Sequence, residues 1–222
     1  MAAVTAGKAG AAILPALRHW QAQRLARTYA DLQADERYAD AAKFFLSDLY
    51  GEADFAARDR QARQAYPLVA KALPKAALAP ITDALELHAL SAELDGKLSE
   101  ILAGELGVKG RITESAYAQG YRLCRNRVQR LRQIRLIVSV GKDLDRVVRK
   151  PVIYGMLVLA RKPARHAGFG ELHDFLERGF VAFRRMGSAK AFLQTIERRE
   201  TLILERLFAG EPRPFDLPVD AA

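Results

Sequence analysis

Seven basic residues and no acidic one lie between Ser115 and Lys142. Within that run Arg122, Arg125, Gln129 and Arg132 follow at spacings of 3, 4 and 3. On a helix advancing about 100° per residue they share one face. A row of guanidiniums suits phosphates or carboxylates, because each can donate two parallel hydrogen bonds to one anion. Arg122, Arg125 and Arg132 are therefore the expected contacts to an acidic partner, either a protein or a nucleic acid. Specific nucleic-acid signatures are missing: there is no helix-turn-helix pattern, no set of zinc ligands and no aromatic run of the RNA-recognition type. The plainer alternative is a solvated helix face in a chain where Arg outnumbers Lys 25 to 10.

A second cationic group is Arg161, Lys162, Arg165 and His166, followed by Gly168 and Gly170. Cations beside a helix N-terminus favour an anion, so Arg161 and Arg165 join the expected binding residues. Glu171 opens the following helix and competes for the same dipole end.

Arg127 and Arg135 fall near the apolar stripe of the Arg-rich helix rather than outside it. A buried guanidinium needs a carboxylate and further hydrogen bonds. Glu86 and Glu93, seven apart on the polar strip of a long apolar helix, are the expected partners. Two arrangements satisfy this: a closed ion-pair network, or a polar pocket lined by Glu86, His88, Tyr121, Arg127 and Arg135. The pocket would take a small molecule or a cofactor, and no fingerprint in the sequence names which.

The histidines are His19, His88, His166 and His173. No two are three or four apart, and Glu171 and His173 are two apart, so they point in different directions on a helix. No metal site is predicted. His88 is expected to be a hydrogen-bonded core histidine. The serines have no partnered histidine nearby in sequence and no Gly-x-Ser-x-Gly elbow is present. No catalytic residue is assigned; a non-enzymatic role is expected, with an enzyme built on the inter-helical pocket as the alternative.

The elements that must carry these residues are helices. Nearly every segment has the 3.6-residue period and none alternates as a strand would. The first helix is expected from about Leu14, with Leu17, Leu25 and Leu32 inward. The second should carry Tyr38, Ala42, Phe45 and Leu49, stop at Gly51 and be followed by a helix capped by Asp54. Pro67, Pro74 and Pro80 open or kink later helices. From Pro80 a long helix places Leu87, Leu90, Leu94, Leu98 and Ile101 on one stripe. One helix from Thr113 to Gly141 should follow, then a helix from Lys142, an apolar helix from Pro151, a loop over residues 162–170, a helix with Phe175, Phe180 and Phe183 inward, and a last helix ending at Gly210. The Phe175, Phe180 and Phe183 face could alternatively serve dimerisation.

The expected fold is all-α, a single compact bundle-like domain of about seven to nine helices. Residues 1–11 are expected as a flexible tail, 12–209 as the helical domain with halves 12–110 and 111–209, and 210–222 as a Pro-rich tail. Charge is divided unevenly. Residues 1–100 carry a net −1, residues 101–200 carry +12 and the last 22 carry −2. Such a field draws acidic partners. A single cysteine, Cys124, excludes a disulfide framework and points to a cytoplasmic setting, with the thiol as a small core group. No apolar run reaches the length of a membrane span.

The segment FFLSDLYGEADFAARD at residues 44–59 resembles an uncharacterised family of all-helical bacterial proteins. AYPLVAKALP, ALELHALSAELD, VVRKPVIYGML and LHDFLERGF are similar to it as well. The resemblance spans roughly residues 14–205 and implies a helical fold, with no activity or ligand attached. The sequence thus leads to a binding or regulatory protein that meets an acidic partner through its basic C-terminal half, with a ligand-binding inter-helical pocket as the alternative.

Overall fold

The computed structural model describes residues 2–49, 60–65 and 75–218. Among these every regular element is helical and there is no strand. In chain order they are α1 (Ala2–Thr28), α2 (Ala30–Ala34), α3 (Ala39–Phe44) with a π-helical turn at Phe45–Leu49, a helical segment at 60–65, α4 (Lys75–Gly104), α5 (Glu114–Leu123), α6 (Arg127–Val148), α7 (Pro151–His166), α8 (Gly170–Met186) and α9 (Lys190–Ala209). Among the described residues no helix is long and apolar enough to cross a membrane. The expected stop at Gly51, the cap at Asp54 and the breaks at Pro67 and Pro74 lie outside the described residues.

Two compact units form, and each draws on chain from both sides of residue 110. One comprises Met1–Thr28, Leu85–Val138 and Leu193–Ala222, the other Tyr29–Ala84 and Ser139–Phe192. Sequence halves 12–110 and 111–209 therefore do not coincide with the units. Periodicity locates helices, but the pairing of distant segments is set by which apolar faces complement one another.

In the first unit the core is built on Leu17, Leu98, Leu102, Cys124, Ile203 and Leu207. Trp20 stacks on Tyr117 at 3.9 Å between ring centroids, and Phe215 meets Trp20 edge-on at 5.4 Å. Both terminal expectations are corrected here. Residues 2–11, expected as a tail, are the first turns of α1, and Gly10 lies so close to Glu100 that a Cβ would sit 3.0 Å from its Cγ. At the other end Pro214 is buried and Phe215 and Leu217 pack on the core, so residues 214–217 are not a loose tail. Their apolar side chains gain more from covering Trp20 and Tyr117 than the short segment loses in chain freedom.

The long helix expected from Thr113 to Gly141 is two helices. Thr113 caps α5, accepting from the Ala116 amide at 3.2 Å. The chain then breaks at Cys124–Asn126, where Arg125 takes a left-handed conformation with φ 52°. That break re-phases everything after it. Arg130, Ile134 and Val138, at i, i+4 and i+8, now form the buried stripe of α6, while Arg127 and Arg135 face solvent. No second break occurs at Lys142, since α6 runs on to Val148. Similarly α4 begins at Lys75, before Pro80.

In the second unit α3, α7 and α8 pack together. Gly179 lets the Phe44 ring approach so closely that a Cβ would lie 2.7 Å from its Cζ. Tyr154 of α7 stacks on Phe180 of α8 at 5.5 Å. Arg37 donates from Nε to the Met186 carbonyl at 3.0 Å, which satisfies an end of α8 that has no helical partner. Gly187 ends α8 with φ 79° and Gly210 ends α9 with φ 77°, both at the expected stops. Phe180 and Phe183 are buried within the chain, which removes the dimerisation reading of that face.

Candidate functional site

Helix α7 is unusual in having no buried residue. Its N-terminus is set by Pro151 at the first helical position, whose missing N–H and fixed φ suit that place. Residues 162–166, expected as loop, continue the helix through Pro163, and Gly168 with φ 82° then turns the chain into α8. Val152, Met156 and Leu159, at i, i+4 and i+7, share one face and are 72%, 64% and 79% exposed. Lys150, Lys162 and His166 are exposed around this stripe. The opposite side of α7 carries Tyr154, Leu157, Arg161 and Arg165 toward α8. Apolar side chains thus face water while two guanidiniums face the neighbouring helix.

Those two guanidiniums meet carboxylates. Arg161 embraces Glu177 with two hydrogen bonds, Nε to Oε2 at 3.1 Å and a second from Nη2 to Oε1. Arg165 donates to both oxygens of Asp174 at 3.1 and 3.3 Å. Between the carboxylates lies His173, only 5% exposed. Its Nε2 donates to the Leu157 carbonyl at 2.8 Å, because a carbonyl oxygen can only accept. Nδ1 is buried without a hydrogen-bond partner, 3.7 Å from Asp174 Oδ1 and 3.9 Å from Glu177 Oε2. Burial pushes the Asp174 carboxyl up, but the Arg165 guanidinium, with a smaller contribution from His173, holds it below the usual range.

The row expected on one helix face is not formed. Arg122 donates to the Leu207 carbonyl at 3.4 Å from α5, Arg125 lies exposed in the break, and Arg132 on α6 pairs with Glu86 at 2.7 Å. Arg161 and Arg165 are held by α8 as described. The expected pocket residues do not converge either. Glu86 is taken by Arg132, and Arg127 pairs with Glu205 at 2.5 Å rather than with Glu86 or Glu93. His88 and Arg135 are exposed, so His88 is not a core histidine. Tyr121 alone is buried among polar groups.

Its neighbour is Arg130, one of three guanidiniums that the unit buries together with Arg24 and Arg199; it is 4% exposed with Cζ 4.7 Å over the Tyr121 ring. Nη2 donates to the Leu94 carbonyl at 3.3 Å and Nη1 to Gln133 Oε1 at 3.2 Å. Gln21 donates to Asp95 Oδ1 at 3.0 Å. Burial raises the Asp95 carboxyl against the opposing pull of Arg130, and burial raises the Tyr121 and Tyr117 phenols as well. Cys124 is buried, as its spacing with Tyr117 and Tyr121 suggests, and burial pushes its thiol up.

Two features escaped the sequence. Arg130 was hidden because its burial depends on the break at Arg125. His173 and Glu177, by contrast, stand at the i,i+4 spacing that brings side chains together on a helix, a signal present in the sequence but not in the His–His and Glu171–His173 spacings first considered.

The family model for a domain of unknown function (DUF8198) matches residues 2–214. The chain belongs to that family. The match covers the described helices from α1 through α9 and ends at Pro214, one residue before the Phe215 that packs on Trp20. No curated protein and no solved structure matches the chain.

Proposed function

We propose that this DUF8198 chain is a binding protein whose docking surface is the outward face of α7, and that its partner is a protein segment carrying both acidic and apolar side chains. The observation that supports this most directly is the exposure of Val152, Met156 and Leu159 on a helix with no buried residue. An apolar stripe of this kind on a charged surface is a docking feature. The unit that holds α7, residues 29–84 and 139–192, carries 18 Lys+Arg against 14 Asp+Glu, a net +4, and Lys150 and Lys162 flank the stripe, which favours an acidic partner. It opposes a second copy of this chain, which would bring the same positive charge. The reading keeps the acidic partner expected from composition and moves its seat from the row at Arg122, Arg125 and Arg132 to α7.

The test places a photo-reactive residue at Met156 and cross-links the full chain in the cells that make it. One discrete acidic protein adduct is expected. It should vanish when Val152→Asp and Leu159→Asp are added, and equally when the probe is moved to an exposed position away from α7. The double aspartate variant should keep the wild-type melting temperature, since both side chains stand in water. An adduct only with a second copy, binding to anionic vesicles instead of protein, or no adduct at all would overturn the proposal.

A further inference from the structure

We propose that His173, Asp174 and Glu177 form a binding site for a divalent transition-metal ion, with Zn2+ as the type. Their ligand atoms lie within 4.8 Å of one another. The decisive atom is His173 Nδ1. It is buried, has no hydrogen-bond partner and faces two carboxylates at 3.7 and 3.9 Å, too far for a hydrogen bond. Its contacts to the two carboxylates are ion pairs only for a protonated imidazole, and the neutral ring leaves Nδ1 with a lone pair and no hydrogen-bond partner.

The imidazole is arranged as a ligand. Its Nε2–H is fixed on the Leu157 carbonyl, which sets the tautomer that leaves a lone pair on Nδ1. Metal-binding histidines ordinarily have their second nitrogen held in this way. Each carboxylate oxygen has two lone pairs, so Glu177 Oε2 can accept from Arg161 and still ligate. Two carboxylates balanced by two guanidiniums leave little net charge to attract a hard cation such as Mg2+ or Ca2+, which also want more oxygens. A nitrogen donor with two oxygens suits a borderline metal, and three protein ligands leave a position for water or substrate. With bonds of ~2.0–2.1 Å a tetrahedral edge is about 3.3 Å, so the carboxylates, at 3.7 and 3.9 Å from Nδ1 and within 4.8 Å of one another, must draw in on metal binding by side-chain rotation.

This inference does not rest on the docking face, since the site lies on the α8 side of α7. The test uses tag-free full-length protein stripped of metal by a chelator. Zn2+ is titrated calorimetrically, and Co2+ by its visible ligand-field absorption. One equivalent should bind, with Co2+ bands showing a low coordination number. Asp174→Asn and Glu177→Gln should each weaken binding by about tenfold or more. His173→Gln, which keeps a donor toward Leu157 but deletes Nδ1, should abolish the Co2+ bands. Because His173 is buried, folding is checked by circular dichroism, and the two carboxylate variants decide the matter if it fails to fold. Absence of saturable binding, or equal affinity in wild type, Asp174→Asn and Glu177→Gln, overturns the proposal.

Discussion

Replacing Arg130 by Met tests how the first unit tolerates a charge in its interior. The guanidinium makes two hydrogen bonds and lies over Tyr121. Hydrogen bonds from a charged donor contribute about 1.5–3 kcal/mol each. A desolvated cation–π contact adds about 2 kcal/mol. Against these stand a desolvation penalty of several kcal/mol and the buried Nε, which has no partner. The intact group is therefore close to neutral in its net effect. Removing it alone is not neutral, because Asp95 then loses the attraction that offsets its own burial. Removing it also deletes the hydrogen bonds to Leu94 and Gln133 and the contact with Tyr121, and we expect Arg130→Met to cost about 1–3 kcal/mol. Asp95→Asn in the same chain should recover part of that, with a coupling energy of about 1 kcal/mol or more. Urea unfolding followed by the fluorescence of Trp20, the single tryptophan and a member of this unit's core, reads the quantity directly. A midpoint for Arg130→Met equal to or above wild type, or strict additivity with Asp95→Asn, refutes the reasoning.

Asp95 also carries a pH dependence. Its carboxyl is raised in the folded state, so its contribution is fully present below the unfolded value of about 3.9 and is lost as pH rises through the folded value. Wild type should therefore lose stability relative to Asp95→Asn as pH climbs from about 4 toward neutrality, measured as the difference in urea midpoint; a difference moving the other way contradicts the assignment. Gly179→Ala forces a Cβ to 2.7 Å from the buried Phe44 ring and should destabilise by about 1–3 kcal/mol, whereas Gly155→Ala, open on α7, should stabilise by up to about 1 kcal/mol. Equal melting shifts for the two would show that the Phe44 ring yields freely. Arg125→Gly removes a side chain from φ 52° and should raise stability by about 1 kcal/mol in chemical denaturation; a loss would mean that the side chain is held by contacts worth more than the strain.

Particular residues show where sequence reasoning reached. Leu17, Leu98, Ile203 and Leu207 were readable as core because a helical period reports burial whatever the partner. Thr113, Gly187 and Gly210 were readable as boundaries because capping and positive φ are local chemistry. Arg122, Arg125 and Arg132 were misread as one row because a three-residue break leaves no mark on a continuous periodic pattern. That break decides the face of every later residue in α6. Arg161 and Arg165 were expected to meet an acidic partner, but the carboxylates they pair with lie in the same chain, sixteen and nine residues on respectively.

The sequence by itself determined that the chain is helical, that helices stop at Gly104, Gly187 and Gly210, and that positive charge gathers beyond residue 100. These are properties of single segments, fixed by side-chain period, backbone freedom and composition. Only the tertiary structure decided which guanidiniums are buried, which are neutralised, that residues 214–217 return to the core, and that α7 turns valine, methionine and leucine to water. Each of those is a relation between segments distant in sequence or newly re-phased, and period and composition contain no term for it.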